Sequence, residues 1–189
     1  MPDSSNVQKK HTIVALVQNQ PGVLMRVANM FRRRNFNIDS LSVGRTHRED
    51  VSRMTIVIDN TRANAYKVMS NLLKLIPIID VADVSADLHV SRDLALVKVR
   101  SNDAASRNAL TLLCEKFPAR IVDIGPDVAI IEITAQEQIV ESFISEVESI
   151  GILEMVRTGV VAMGRGVRIL DVPKEDVEQL ELSANGHRV

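Results

Sequence analysis

The sequence predicts an α+β protein in which one order of elements, strand–helix–strand–strand–helix–strand, runs twice. Three observations carry that prediction. Several short runs alternate apolar and polar residues, the stretches between them repeat apolar residues at three- and four-residue spacing, and the whole order restarts near Ser91. The 189 residues, 46% of them hydrophobic, suffice for two small cores. With one Tyr, four Phe and no Trp, those cores must be aliphatic.

In the first half, residues 12–17 read as a strand ending before the tight turn Asn19-Gln20-Pro21-Gly22. Val23, Leu24, Val27, Ala28 and Phe31 then share a helical face, and Arg32-Arg33-Arg34 complement the negative end of that helix. Phe36–Gly44 reads as a strand whose parity shifts between Ile38 and Leu41, as at a bulge. After the polar loop Arg45–Asp50, Met54, Ile56 and Ile58 mark a third strand. Ala65, Val68, Met69, Leu72, Leu73 and Ile76 form a second helical stripe, broken by Pro77. Val84, Ala86, Leu88 and Val90 alternate with Ser85, Asp87 and His89 as a fourth strand, which turns His89 to solvent.

The second half repeats this order. Leu94–Val99 is a strand, followed by a helix through Ala105, Ala109, Leu112, Leu113 and Lys116/Phe117, entered at Asn102 or Asp103. Ile121–Ile124 and Val128–Thr134 flank the turn Gly125-Pro126-Asp127. Ile139, Val140, Phe143, Ile144 and Val147 make a clean helical face, and Ile152–Met163 supplies the last strand. The fold class is therefore two tandem ferredoxin-like βαββαβ domains, residues 10–90 and 93–166, with a polar tail at 167–189 expected to be mobile. Each sheet carries two helices on one face and is bare on the other. Because Thr12–Val17 is apolar on both sides, that bare face needs a cover, and oligomerisation through the sheets is the expected one.

Composition removes several function classes. A net charge of −1 and scarce aromatics give neither a drive toward phosphate backbones nor stacking platforms, so no nucleic-acid partner is expected. No apolar run approaches the roughly 20 residues of a membrane span, and the N-terminal segment lacks a signal-peptide core, which predicts a cytoplasmic protein. Cys114, the only cysteine, reads as a small buried side chain. His11, His47, His89 and His187 are scattered without metal-ligand spacing, and no nucleophile motif or phosphate loop occurs. No catalytic residue and no metal ligand is assigned.

What remains is the first turn. A helix opened by Gly22 leaves the N–H groups of Val23, Leu24 and Met25 unpaired at the positive end of its dipole, a cradle suited to a carboxylate. Gly22 is read as permitting a backbone approach that a Cβ would block. Asn19 and Asn37 fit two readings: they hold the ammonium group of a zwitterionic amino acid across a dimer seam, or they only cap turns.

Asn19-Gln20-Pro21-Gly22-Val23-Leu24, Arg34-Asn35-Phe36-Asn37-Ile38-Asp39-Ser40-Leu41 and Ser52-Arg53-Met54-Thr55-Ile56 closely resemble the regulatory subunits of acetolactate synthase. The first half is similar to their ACT domain, and the second half, including Arg157-Thr158-Gly159-Val160-Val161-Ala162-Met163, to their C-terminal domain. The resemblance implies a chain without catalytic activity that binds a large catalytic subunit. That partner would carry thiamine diphosphate, magnesium and FAD, with no cofactor on this chain. The resemblance further implies activation of that subunit and feedback inhibition by valine, or by leucine or isoleucine, bound between two ACT domains of a homodimer. Asn19, Gly22 and Asn37 match the family's effector positions, and Val23, Leu24 and Ile38 are added as backbone lining. The second repeat lacks the Pro-Gly turn and has Asp103 at its helix start, so no second effector site is expected there. A stand-alone amino-acid sensor with an ACT domain is the alternative.

Overall fold

The computed structural model describes residues 10–59, 64–85, 89–166 and 170. The first half contains β1 (Lys10–Gln18), α1 (Val23–Arg33), β2 (Ser40–Arg45), β3 (Val51–Asp59), α2 (Ala65–Leu72) and β4 (Ile78–Asp83). The second contains β5 (His89–Arg100), α3 (Ala104–Lys116), β6 (Ala119–Ile124), β7 (Val128–Ala135), α4 (Glu137–Glu148), β8 (Ile152–Arg157) and β9 (Val161–Gly164). The sheets are ordered β2-β3-β1-β4 and β6-β7-β5-β8, with β9 also pairing β5. The duplicated α+β architecture is therefore as the periodicities predict. Two compact units result, one of residues 1–90 with 162–189 and one of residues 91–161. Among the described residues no helix is long and apolar enough to cross a membrane.

Several element limits differ from the sequence reading. The fourth strand is Ile78–Asp83, because α2 stops at Leu72 and the turn through Leu75 and Pro77 feeds directly into a strand; residues 86–88 of the predicted strand lie outside the described residues. Asp80 and Asp83 interrupt its apolar pattern, which hid it. His89 instead opens β5, where it is half-buried while Val90 is exposed. β2 begins only at Ser40. Phe36 and Ile38 pack on the core from irregular backbone that follows Asn35, whose φ is 54°. That irregular lead-in accounts for the parity shift. The last strand is split into β8 and β9 around Gly159, at φ 75°.

In the first unit, the helix-facing residues Ile13, Ala15, Val17, Met54, Ile56 and Ile58 meet Val23, Val27, Met30 and Phe31 of α1 and Ala65, Val68 and Leu72 of α2. The α1 face is thus rotated from the expected one, with Met30 inside and Leu24 and Ala28 outside. Ile76, 85% exposed, lies beyond the α2 stripe altogether. The opposite sheet face is not bare. Val14, Leu16, Val51, Thr55 and Val57 are buried within the chain, and Leu170 packs with Leu16, Val51 and Ile79. Within the chain, Ile79 and Leu170 supply part of that cover, over Leu16 and Val51. Apart from Leu170, the predicted tail lies outside the described residues.

The second unit alternates cleanly. Ala95, Val97, Val99, Ala129, Ile131 and Ile133 face Leu110, Leu113, Val140, Phe143 and Val147, while the other face carries cross-strand ion pairs Lys98–Glu154 and Arg120–Glu132, each at 3.0 Å. On α3 Leu110 is inward with Leu113, and Leu112 is exposed. Asp93 is fully buried, and its Oδ2 accepts from Arg157 Nε and Nη2, while Arg157 Nη1 donates to Glu141 at 2.6 Å. This ties β5, β8 and α4 together; Asp93 Oδ1 has no partner among the described residues.

Two predictions follow from these ion pairs. Removing the guanidinium from a buried carboxylate is costly, so Arg157→Met is expected to destabilise the second unit by about 3–5 kcal/mol, read by urea unfolding. In the first unit, burial works to raise the Asp83 pKa, but the Ser85 N–H at 2.9 Å and His11 Nδ1 at 2.7 Å outweigh it and hold this carboxyl below its ordinary value. A depressed folded pKa contributes stability that is present above the unfolded value of about 3.9 and is lost as pH falls through the folded one. The stability gap between the native chain and Asp83→Asn is therefore expected to be full at pH 7 and to shrink on acidification below about pH 4.

Candidate functional site

β1 is the centre of the first sheet, paired with β3 from Lys10↔Asp59 to Gln18↔Val51 and with β4 on its other side. The turn Asn19–Gly22 leaves at the Gln18 end. Three bonds hold it there. Gln18 N donates to Pro77 O at 2.8 Å, Asn19 N donates to Asp50 O at 2.7 Å, and Asn19 Nδ2 donates to Glu49 O at 2.8 Å. The hairpin loop that supplies two of these acceptors is itself braced. Arg48 donates to both Asp50 carboxylate oxygens, at 3.1 and 2.7 Å, and Thr46 Oγ1 bridges Arg48 N and Val51 O. Hydrogen bonding from Arg48 is the main reason the Asp50 carboxyl titrates below its ordinary value.

Gly22 is the N-cap of α1 at φ 83° and makes no side-chain cap. A Cβ built there meets nothing within 4 Å. Among the described residues, no part of this chain makes that close approach. Within the chain, glycine is needed because the backbone is left-handed. The cradle is also smaller than expected. Val23 N bonds back to Gln20 O at a long 3.4 Å, and the Val23 side chain is buried in the core. Among the described residues, no backbone carbonyl accepts from Leu24 N or Met25 N. No acidic residue lies in the first turn, so those two N–H groups meet an approaching anion unopposed.

Asn37 and Ile38 stand at the other end of the same sheet. Asp39 N donates to Val57 O at 2.9 Å, Ser40 is in register with Val57, and Lys10 Nζ lies 2.8 Å from Asp39 Oδ2. At about 3.3 Å per residue, the nine residues of β1 separate this end from the turn by roughly 25 Å. Asn37 is exposed, and Ile38 packs partly against its own core. Within one chain, then, Asn19, Gly22, Val23 and Leu24 gather at one end and Asn37 and Ile38 at the other. The bracing loop residues Arg48, Glu49 and Asp50 were missed by sequence reasoning, since main-chain acceptors in a polar loop leave no motif.

The second unit differs at the corresponding helix start. Asp103 caps α3: its carboxylate accepts from Ser106 N at 2.7 Å, and its own N–H donates to Ser106 Oγ at 3.3 Å. That N-terminus is closed by its own carboxylate, whose pKa is lowered chiefly by the backbone bond to Ser106. Cys114 is half-buried against the second core, and burial pushes its thiol pKa up, away from the reactive thiolate. Among the described residues no group of three His, Cys, Asp or Glu is placed to hold a metal ion.

Comparison with known proteins gives consistent matches along both units. Residues 13–80 match the family model for the AHAS small subunit-like ACT domain, and residues 92–166 match that for the small subunit of acetolactate synthase. The probable acetolactate synthase small subunit of Archaeoglobus fulgidus is 47% identical over 83% of this chain and 98% of its own length. The acetolactate synthase small subunit of Mycolicibacterium smegmatis is 39% identical over 90% of this chain and 99% of its own. The crystal structure of the acetolactate synthase small subunit from Thermotoga maritima superposes with a TM-score of 0.76, at 34% identity, over 85% of this chain and 99% of that one.

The turn geometry sets a test of its own. Gly22→Ala is expected to cost about 1–2 kcal/mol, because an L side chain is strained in the left-handed region even with open space around it. Asp tolerates that region better, so Gly22→Asp is expected to unfold closer to the native chain in the same urea titration.

Proposed function

This chain belongs to the family of acetolactate synthase small subunits, regulatory chains whose catalytic partner is the large subunit. From that premise we propose that it activates the large subunit and gives it feedback inhibition by a branched-chain amino acid, valine foremost, bound between the ACT domains of two copies. The observation that carries this reading is the separation of complementary groups to opposite ends of one sheet. The free N–H groups of Leu24 and Met25 stand at the Gln18 end, and the exposed Asn37 amide at the Lys10 end. A two-fold axis that sets one chain's Gln18 end against the other's Lys10 end completes two equivalent sites.

In each site the effector carboxylate accepts from Leu24 N–H and Met25 N–H beside Gly22. The Asn19 amide nitrogen is committed to Glu49 O, which leaves its oxygen as an acceptor for the ammonium group, joined by Asn37 of the second copy. Leu24, 47% exposed, offers apolar contact to the effector side chain, and the backbone of Ile38 from the second copy closes the seam; Val23 holds the turn to the core. An effector that bridges two chains favours one quaternary arrangement. A coupling free energy of about 1–3 kcal/mol is ordinary for such a device. Thiamine diphosphate, magnesium and FAD are assigned to the large subunit, and a cytoplasmic location accompanies that assignment. The donors of this site, two main-chain N–H groups and two amides, suit a small zwitterion rather than a metal or a diphosphate cofactor.

The test is acetolactate formation from pyruvate by the large subunit, with and without this chain and each branched-chain amino acid. The chain alone is expected to form none, and in the mixture it raises the rate and confers valine sensitivity. Gly22→Asp is expected to keep the activation while raising the valine needed for half-inhibition at least about tenfold, since a fixed carboxylate repels the ligand's own. Unchanged valine sensitivity in that variant would remove the turn from the site. Valine binding to the chain without any effect on the large subunit would favour the stand-alone sensor.

A further inference from the structure

The second face of the first sheet is met at two points by chain that follows β8, at Ala162 and at Leu170. Leu16 and Val51, 5% and 1% exposed, pack with Ile79 and with Leu170. One pleat along, Arg53, in register with Leu16, donates Nη2 to Ala162 O at 2.8 Å, and Ala162 is itself buried. Burial lowers the pKa of the Arg53 guanidinium, yet among the described residues no carboxylate pairs with it. Desolvating a guanidinium is costly, and the bond to Ala162 O offsets part of that cost, so the contact resists being opened.

The path back to the first unit is short for a physical reason. Leu94 N donates to Thr158 Oγ1 at 3.2 Å, Thr158 N donates to Leu94 O at 3.0 Å, and Asp93 is clasped by Arg157. The strand that enters the second unit and the strand that leaves it are thus joined side by side. Closing the return therefore orders little additional chain.

We propose that the chain following β8 locks the first sheet through two fasteners, Arg53 on Ala162 O and Leu170 on Leu16 and Val51. The lock bears on the end of the sheet that carries the Asn19–Gly22 turn, because Val51 is in register with Gln18. The inference does not depend on the proposed effector or on the large subunit.

Hydrogen exchange on the full-length chain tests it. In Arg53→Met and in Leu170→Ser, the amides of residues 13–18 and 51–54 are expected to exchange about tenfold faster or more, with those of β6 and β7 unchanged. Leu112→Ser, at an exposed position of α3, serves as the control and changes neither. Should the serine variant fail to accumulate, Leu170→Ala is expected to give the same map at smaller amplitude. Native exchange at 13–18 and 51–54 in both fastener variants, or equal acceleration in both sheets, would overturn the proposal.

Discussion

The antiparallel pairing of β1 on both of its edges is the constraint on which the rest depends. Because side chains alternate at a period of two, that register sends Ile13, Ala15 and Val17 to the helices and Val14 and Leu16 to the other face at one stroke. It also decides which loops meet. The turn after Gln18 must lie beside the β2–β3 hairpin and the Pro77 carbonyl, and the lead-in to β2 must lie beside Lys10 and Asp59. No local change in either loop could bring Asn37 to Asn19 within one chain.

The first turn shows how a small backbone requirement becomes a recognition feature. The left-handed Gly22 lets the chain leave β1 and enter α1 without a capping side chain, and the missing cap is what leaves Leu24 N–H and Met25 N–H available. The second repeat makes the opposite choice. Asp103 and Ser106 satisfy each other's groups, so the helix gains a stable start and loses an anion site. Two similar folds thus diverge through one cap.

The two sheets also diverge in what covers them. The second keeps a solvated face of ion pairs over an aliphatic core held by the Asp93–Arg157 clasp. The first buries both faces, and part of that burial comes from residues far along the chain.

The sequence by itself determined the element order, the duplication, the aliphatic cores and the special character of Gly22, because each of these is written in short-range periodicity or in a local backbone need. It also carried the family likeness in three short motifs. Where side chains at one spacing could serve two structures, it did not decide. Phe36 and Ile38 look like strand residues yet pack from irregular backbone, and Asp80 and Asp83 disguise a real strand at the sheet edge. Only the tertiary structure settled that Val23 N–H is taken, that Asn19 is braced by Glu49 and Asp50, and that Asn37 stands at the far end of the sheet. Those facts, like the packing of Leu170 on Leu16, arise from contacts between segments distant in sequence, and long-range register leaves no local trace in the residues that obey it.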